Sequence, residues 1–146
     1  MKYGGKYWNI KQYLPYQRCF NLINSERSIG KTYTTQGYFL ERAILHDEEF
    51  IYIVRTQDEK EKSVFEKTFA KVCAKEYGEY QFEFTKDECS LRVEDESGEL
   101  IEKKSLGHCI ALSEATKTKK LNFPNVKWLM FDEYIVDEKE KSDPGD

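Results

Sequence analysis

The sequence has 146 residues, and its 27 acidic and 23 basic side chains give a formal net charge of −4. That length suits one compact domain with a single core, and 39% hydrophobic with 34% charged residues is typical of a soluble globular protein. The negative charge argues against a broad surface that coats nucleic acid. No apolar run approaches the roughly 18 residues of a membrane span, and residues 1–18 contain no apolar signal segment. We therefore expect a protein that is neither secreted nor membrane-embedded.

The cysteines predict a reducing compartment. They are far apart in the sequence and form no C-x-x-C pair: Cys19, Cys73, Cys89 and Cys109. We interpret them as reduced core thiols of a cytoplasmic protein rather than as zinc ligands.

The first half of the chain predicts strands and helices in alternation. Residues 50–54 are β-branched and aromatic throughout, which indicates a buried strand. Residues 58–77 begin with acidic side chains and repeat apolar ones at helical spacing. In chain order we expect an irregular arm over 1–17, a buried strand over 18–24, a loop over 25–30, a helix from 31 to about 45, a strand over 50–54 and a helix over 58–77.

The second half changes to the period of a strand. Residues 80–85 alternate apolar and polar, and residues 90–104 predict a hairpin whose turn is Asp95–Gly98. We expect two further strands, one over 108–113 and one from Val126 to Phe131, with a loop between them. This order predicts an α/β domain with a mainly parallel core sheet, flanking helices and a small β-hairpin insertion.

A phosphate-binding loop is predicted between the first strand and the first helix. The segment Ser25–Thr32 matches three of the four fixed positions of G-x-x-x-x-G-K-[ST], with serine in place of the first glycine. Gly30 permits a tight turn, Lys31 neutralises phosphate charge, and the Thr32 hydroxyl suits Mg²⁺ at a helix start whose positive end faces the phosphates. The predicted ATP-binding residues are Ser25, Glu26, Arg27, Ser28, Ile29, Gly30, Lys31, Thr32 and Tyr33.

Two carboxylates follow the last predicted strand at its carboxyl end, where ligands collect in parallel α/β sheets. Asp132 is predicted to hold Mg²⁺ together with Thr32, and Glu133 to orient and deprotonate the attacking water. A kinase for small molecules needs no water-activating glutamate, and we find no guanine-reading N-K-x-D segment. ATP hydrolysis coupled to motion is the reaction that these residues favour.

With both motifs present, the sequence resembles the DNA-packaging motor ATPases of small tailed bacteriophages, terminase-like members of the additional-strand, catalytic-glutamate class of P-loop ATPases. The resemblance covers most of the chain and rests on "FNLINSERSIGKTY", "EFIYIVR", "IALSEATKTKKLNFPNVK" and "WLMFDEYIV". It implies a homo-oligomeric ring, usually a pentamer, on the portal of an empty capsid (the prohead), which threads double-stranded DNA inward. The implied location is the host bacterial cytoplasm and, transiently, the viral procapsid.

The resemblance also implies roles for single residues. Lys31 and Thr32 match the phosphate and Mg²⁺ ligands, Asp132 the metal carboxylate and Glu133 the catalytic base. Arg27 matches an arginine that senses or stabilises the γ-phosphate, although a solvated loop arginine explains it equally well.

The resemblance further implies a longer protein. We expect an ATPase domain over residues 1–136, a flexible acidic tail over 137–146, and a missing C-terminal nuclease-like domain that engages most of the DNA. The isolated chain would then hydrolyse ATP weakly.

Other contacts stay open at this point. The basic run Lys117, Lys119 and Lys120 is either a DNA-phosphate contact or a solvated loop. Arg55 matches another arginine of the family, and a structural salt bridge explains it as well. The adenine pocket is a guess from the arm: Tyr13, Tyr16, Gln17 and Arg18. The alternative functions are a helicase-like or AAA-type cellular ATPase and a non-catalytic nucleotide-binding domain.

Overall fold

The computed structural model describes residues 10–12, 21, 30–114 and 122–132. Three α-helices and five strands make up this part of the chain. The helices are α1 (Lys31–His46), α2 (Gln57–Glu61) and α3 (Val64–Glu76). The strands are β1 (Glu49–Val54), β2 (Gln81–Phe84), β3 (Glu88–Glu94), β4 (Leu100–Ala111) and β5 (Val126–Phe131). Short 3₁₀ turns cover Ile10–Gln12 and Leu112–Glu114.

The five strands form one mixed sheet in the order β2-β3-β4-β1-β5. Strand β1 pairs in parallel with both β4 and β5, whereas β3 pairs antiparallel with β2 and β4. The parallel part of the predicted sheet is therefore β4-β1-β5. The predicted strand over 18–24 lies outside the described residues apart from Asn21.

The predicted hairpin exists, but it is not a separate insertion. The Asp95 carboxylate accepts three hydrogen bonds at the turn, and β3 and β4 form the two arms of the hairpin. We expected one strand to end near Lys104 and another to begin at His108, and this was wrong. A register shift at Leu106 interrupts the alternation, and β4 continues through it into the parallel part of the sheet.

The predicted helix over 58–77 was also wrong as a single element. Helix α2 begins with a capping box in which Thr56 and Glu59 bond each other's backbone N–H groups. Ser63 then takes a left-handed conformation, with φ 58°, and ends the helical path before α3 begins. Because α2 is a separate helix, Glu59 and Arg55 are held together at the carboxyl end of β1.

An aromatic core joins α1 and α3 to one face of the sheet. Phe50 stacks on Phe69 at 5.3 Å between ring centroids, and Tyr52 stacks on Phe65 at 5.8 Å. The cysteines Cys73, Cys89 and Cys109 are buried and free, and burial raises the pKa of each thiol. In the described part of the chain, no helix combines the length and hydropathy that a membrane crossing requires.

Candidate phosphate and cation site

The first turn of α1 is built as the sequence predicts. Gly30 precedes the helix with φ 83°, a left-handed conformation that glycine adopts without steric cost. Its carbonyl accepts hydrogen bonds from the backbone N–H and the hydroxyl of Thr34, at 3.0 and 2.9 Å. The N–H groups of Lys31, Thr32 and Tyr33 therefore point out of the start of the helix, the geometry that favours an anion.

The two distant motifs meet in space. The Thr32 hydroxyl donates a hydrogen bond of 3.0 Å to Oδ2 of Asp132, across a sequence separation of 100 residues. Asp132 follows the last residue of β5 directly, so its carboxylate lies at the carboxyl end of that strand. A hydroxyl and a carboxylate side by side are oxygen ligands of the kind that Mg²⁺ prefers.

Packing between β5 and α1 keeps this pair together. Trp128 of β5 meets Tyr38 edge to face at 5.3 Å and also contacts Phe39, both on α1. Its indole N–H donates to Glu48, which in turn accepts two hydrogen bonds from Arg42 of α1. The start of α1 is thus positioned against the end of β5 by contacts along both elements.

Tyr33 contributes its backbone to the first turn, but its side chain is directed to α3. The hydroxyl donates to Glu76 at 2.7 Å, and the Lys71 ammonium lies 5.8 Å from the ring centroid. Burial, and then the bond to Glu76, raise the pKa of Tyr33 to about 12, so the hydroxyl remains protonated at neutral pH. The Tyr33 hydroxyl is thus engaged by Glu76, so the predicted contact of Tyr33 with ATP can be made only by its backbone N–H group.

The remaining predicted site residues lie outside the described part of the chain. They are the loop residues Ser25, Glu26, Arg27, Ser28 and Ile29, the proposed base Glu133, the basic residues Lys117, Lys119 and Lys120, and the four guessed adenine contacts. The roles given to these residues therefore remain predictions from the sequence.

One neighbour of the site was not predicted from the sequence. A cavity of about 170 Å³ lies beside Asp132, between the end of β1 and the two helices that follow it. Besides Asp132, its wall includes Arg55, Glu59 and Thr68. The pattern Thr-x-x-Glu at Thr56–Glu59 is a capping-box signal and could have located the start of α2, and with it Glu59.

Comparisons with known proteins identify the family of the chain. The family described as podovirus DNA encapsidation protein (Gp16) matches residues 4–144. The DNA packaging proteins of Bacillus phages PZA and phi29 are each 30% identical over 129 residues. Those residues are 88% of this chain and 35% of each relative, so the chain spans about a third of their length.

Solved structures from packaging motors share the fold. The bacteriophage Phi-29 viral genome packaging motor assembly has a TM-score of 0.70 at 29% identity, covering 90% of this chain and 36% of that one. The N-terminal domain of the DNA packaging ATPase from bacteriophage phi29 has a TM-score of 0.68 at 27% identity, covering 88% and 60%. With a family match over nearly its whole length, the chain belongs to the podovirus DNA encapsidation protein family.

Proposed function

We propose that the chain binds ATP with Mg²⁺ and hydrolyses it as part of a phage DNA-packaging motor, on a P-loop fold of the additional-strand, catalytic-glutamate type. The observation that carries the proposal is the hydrogen bond between Thr32 and Asp132. It brings a helix start with the sequence G-K-T next to the carboxylate that follows a central strand. In P-loop ATPases these two features bind the phosphates and the Mg²⁺ of the nucleoside triphosphate.

The first turn of α1 supplies the phosphate contacts in this proposal. The outward N–H groups and the ammonium of Lys31 neutralise the β- and γ-phosphates, and Gly30 lets the backbone approach them closely. Among the described residues, no three His, Cys, Asp or Glu side chains are close enough to form a complete metal site. This fits a cation held by Thr32 and Asp132 that takes its other ligands from phosphate oxygens and water. Bound Mg²⁺ would neutralise the charge on the phosphates.

Hydrolysis requires a base beside this pair. Glu133, the residue after Asp132, is proposed to accept a proton from the attacking water. The water oxygen then bonds to the γ-phosphorus, the bond from that phosphorus to the bridging oxygen breaks, and ADP and phosphate result. Arg27 is proposed to stabilise the negative charge that collects on the γ-phosphate oxygens.

The coupling of hydrolysis to DNA movement rests on the family and on the relatives' names. The relatives are DNA packaging proteins, and one of the similar structures is described as a viral genome packaging motor assembly. We propose that this chain acts likewise, in a homo-oligomeric ring, a pentamer, on the portal of the procapsid in the infected host. Lys117, Lys119 and Lys120 are proposed to contact phosphates of double-stranded DNA without sequence selectivity.

Two substitutions test the nucleotide site. Lys31→Ala removes the phosphate charge partner and is expected to weaken Mg-ATP binding at least about tenfold, measured by titration calorimetry. Glu133→Gln is expected to keep binding within about twofold and to reduce single-turnover hydrolysis at least about a hundredfold. The matched control is Lys75→Ala, which removes an exposed lysine of α3 and should change neither quantity.

The outcomes separate the competing functions. Binding that survives Lys31→Ala contradicts the phosphate site. Hydrolysis that survives Glu133→Gln shows that Glu133 is not the base. Tight ATP binding without any hydrolysis in the unsubstituted chain favours a non-catalytic nucleotide-binding module. Hydrolysis that double-stranded DNA does not stimulate, even with the portal present, argues against a packaging motor.

A further inference from the structure

The cavity beside Asp132 has walls of mixed character. Residues of β1 and α3 supply its apolar surface, and the polar wall consists of Arg55, Glu59, Thr68 and Asp132. Its volume of about 170 Å³ exceeds the roughly 30 Å³ that one water molecule occupies in the liquid several times over. A polar cavity of this size, with several groups able to hydrogen-bond, is a place for ordered water.

Thr68 is held rigidly at this wall. Gln36, only 2% exposed and one turn beyond Thr32 on α1, donates from Nε2 to the Thr68 hydroxyl oxygen at 2.9 Å. That bond fixes the rotamer of Thr68 while using only its acceptor side. Within the described part of the chain, the Thr68 hydroxyl proton has no acceptor. The hydroxyl is therefore set to donate a hydrogen bond into the cavity.

Glu59 is engaged elsewhere. Its Oε2 accepts from the backbone N–H of Arg55 at 2.8 Å and from that of Thr56 at 3.4 Å. These bonds close the first turn of α2 and keep the carboxylate in place as part of the wall. Two carboxylates against one arginine make the wall a poor host for a second anion, whereas water bonds equally well to acids, to Arg55 and to a hydroxyl.

We propose that this cavity holds the water that attacks ATP, and that Thr68 is the residue that positions it. The inference rests on the proposed function, because it assigns the source of the nucleophile for that reaction. Water held by Thr68 lies in a cavity that Asp132 also lines, and the proposed base Glu133 follows Asp132 in the sequence. The Thr68 hydroxyl donates to the water oxygen, which leaves the water's own protons for Glu133.

The test separates positioning from binding. Thr68→Val keeps the side-chain shape and removes the hydroxyl, so kcat should fall about ten- to a hundredfold while the Kd for Mg-ATP stays within about twofold. Thr68→Ser restores the hydroxyl and should keep kcat within about threefold. The control Thr35→Val makes the same change on α1, away from the cavity wall, and should leave kcat unchanged.

A second variant guards against a folding effect, because Thr68→Val also leaves the buried Gln36 amide without its acceptor. Val64→Phe fills the cavity from its apolar side and leaves every polar group in place, and it should reproduce the loss of kcat with binding retained. The inference is overturned if Thr68→Val or Val64→Phe turns over normally, or if Thr68→Ser is as slow as Thr68→Val. Absence of hydrolysis in the unsubstituted full chain overturns the proposed function itself, and this inference with it.

Discussion

At the scale of single residues, Glu48 joins the three elements that position the candidate site. It lies between α1 and β1, and it accepts hydrogen bonds from Arg42 Nε at 2.8 Å, Arg42 Nη2 at 2.7 Å and Trp128 Nε1 at 2.9 Å. Arg42 belongs to α1, which contains Thr32, and Trp128 belongs to β5, which ends directly before Asp132. The carboxylate therefore stabilises the packing on which the Thr32–Asp132 contact depends.

The charge of Glu48 makes this contribution dependent on pH. The hydrogen bonds from Arg42, and next that from Trp128, outweigh burial and lower the pKa of Glu48 from 4.5 to about 2. Because the folded-state pKa is depressed, its stabilisation is complete above about pH 4.5 and is lost as the pH falls toward 2. Partial exposure of the side chain reduces the size of the effect.

Glu48→Gln should therefore lower the free energy of unfolding by about 1–2 kcal/mol near pH 7, because hydrogen bonds to a charged acceptor are replaced by weaker ones. The difference from the unsubstituted protein should narrow between pH 4.5 and pH 2, as measured by urea unfolding at a series of pH values. Glu96→Gln, at an exposed position in the hairpin turn, is the control and should show no such trend. A difference that is constant over this range contradicts the charged role of Glu48.

At the scale of elements, the sequence predicted those whose signals are local. Helix α1 and strands β1 and β5 lie within about one residue of their predicted limits, because a glycine with a G-K-T start marks the helix and mainly apolar runs mark the strands. The break at Ser63 and the continuation of β4 through Leu106 carry no comparable signal. The break at Ser63 depends on the packing of α3 against the aromatic core, and the continuation of β4 depends on its pairing with β3.

One glycine shows how tightly β4 fits β1. Gly107 pairs with Phe50 across the parallel ladder, and a Cβ at this position would come within 2.4 Å of the Phe50 ring. That ring is fully buried and stacks on Phe69, so it has no room to move away. The absence of a side chain at Gly107 is what allows Phe50 to lie over the strand.

Gly107→Ala should consequently destabilise the protein by about 3 kcal/mol through overpacking, measured by urea unfolding. The near-ultraviolet circular dichroism should also change, because the aromatic cluster must shift. Gly98→Ala is the control: nothing lies within 4 Å of its Cβ, and its φ of 84° costs only about 1–2 kcal/mol of backbone strain. Equal losses in the two variants would show that packing against Phe50 is not the cause.

At the scale of the whole molecule, the sequence predicted which residues belong together but not what surrounds them. The meeting of Thr32 with Asp132 follows from two known motifs and the rule that parallel strands end at the same edge of a sheet. The hydrogen bond from Gln36 to Thr68 joins α1 to α3, and no sequence pattern at either residue indicates this contact. Contacts of that kind arise only when α1 and α3 pack, so local patterns give no indication of them.

The same long-range contact would make the proposed nucleotide binding a property of the entire domain. Thr32 and Asp132 belong to elements at opposite ends of the described chain, so Mg-ATP bound between them would oppose global unfolding. At a concentration of 100 Kd a ligand adds about 2.7 kcal/mol to the stability of the folded state. For a domain of this size that corresponds to an increase in Tm of roughly 5–10 °C.

We therefore expect Mg-ATP to raise the Tm, measured by differential scanning calorimetry, by roughly that amount. Chelating the metal with excess EDTA should remove most of the increase, since the triphosphate then lacks its contact with the two oxygen ligands. Asp132→Asn should reduce the Mg²⁺-dependent part of the increase in Tm, because carboxylates that bind a metal directly or hold its ligands contribute about ten- to a hundredfold in metal affinity. Asp58→Asn, on the exposed side of α2, should behave as the unsubstituted protein does. An increase in Tm that is indifferent to both EDTA and Asp132→Asn would mean that the nucleotide binds away from the Thr32–Asp132 pair.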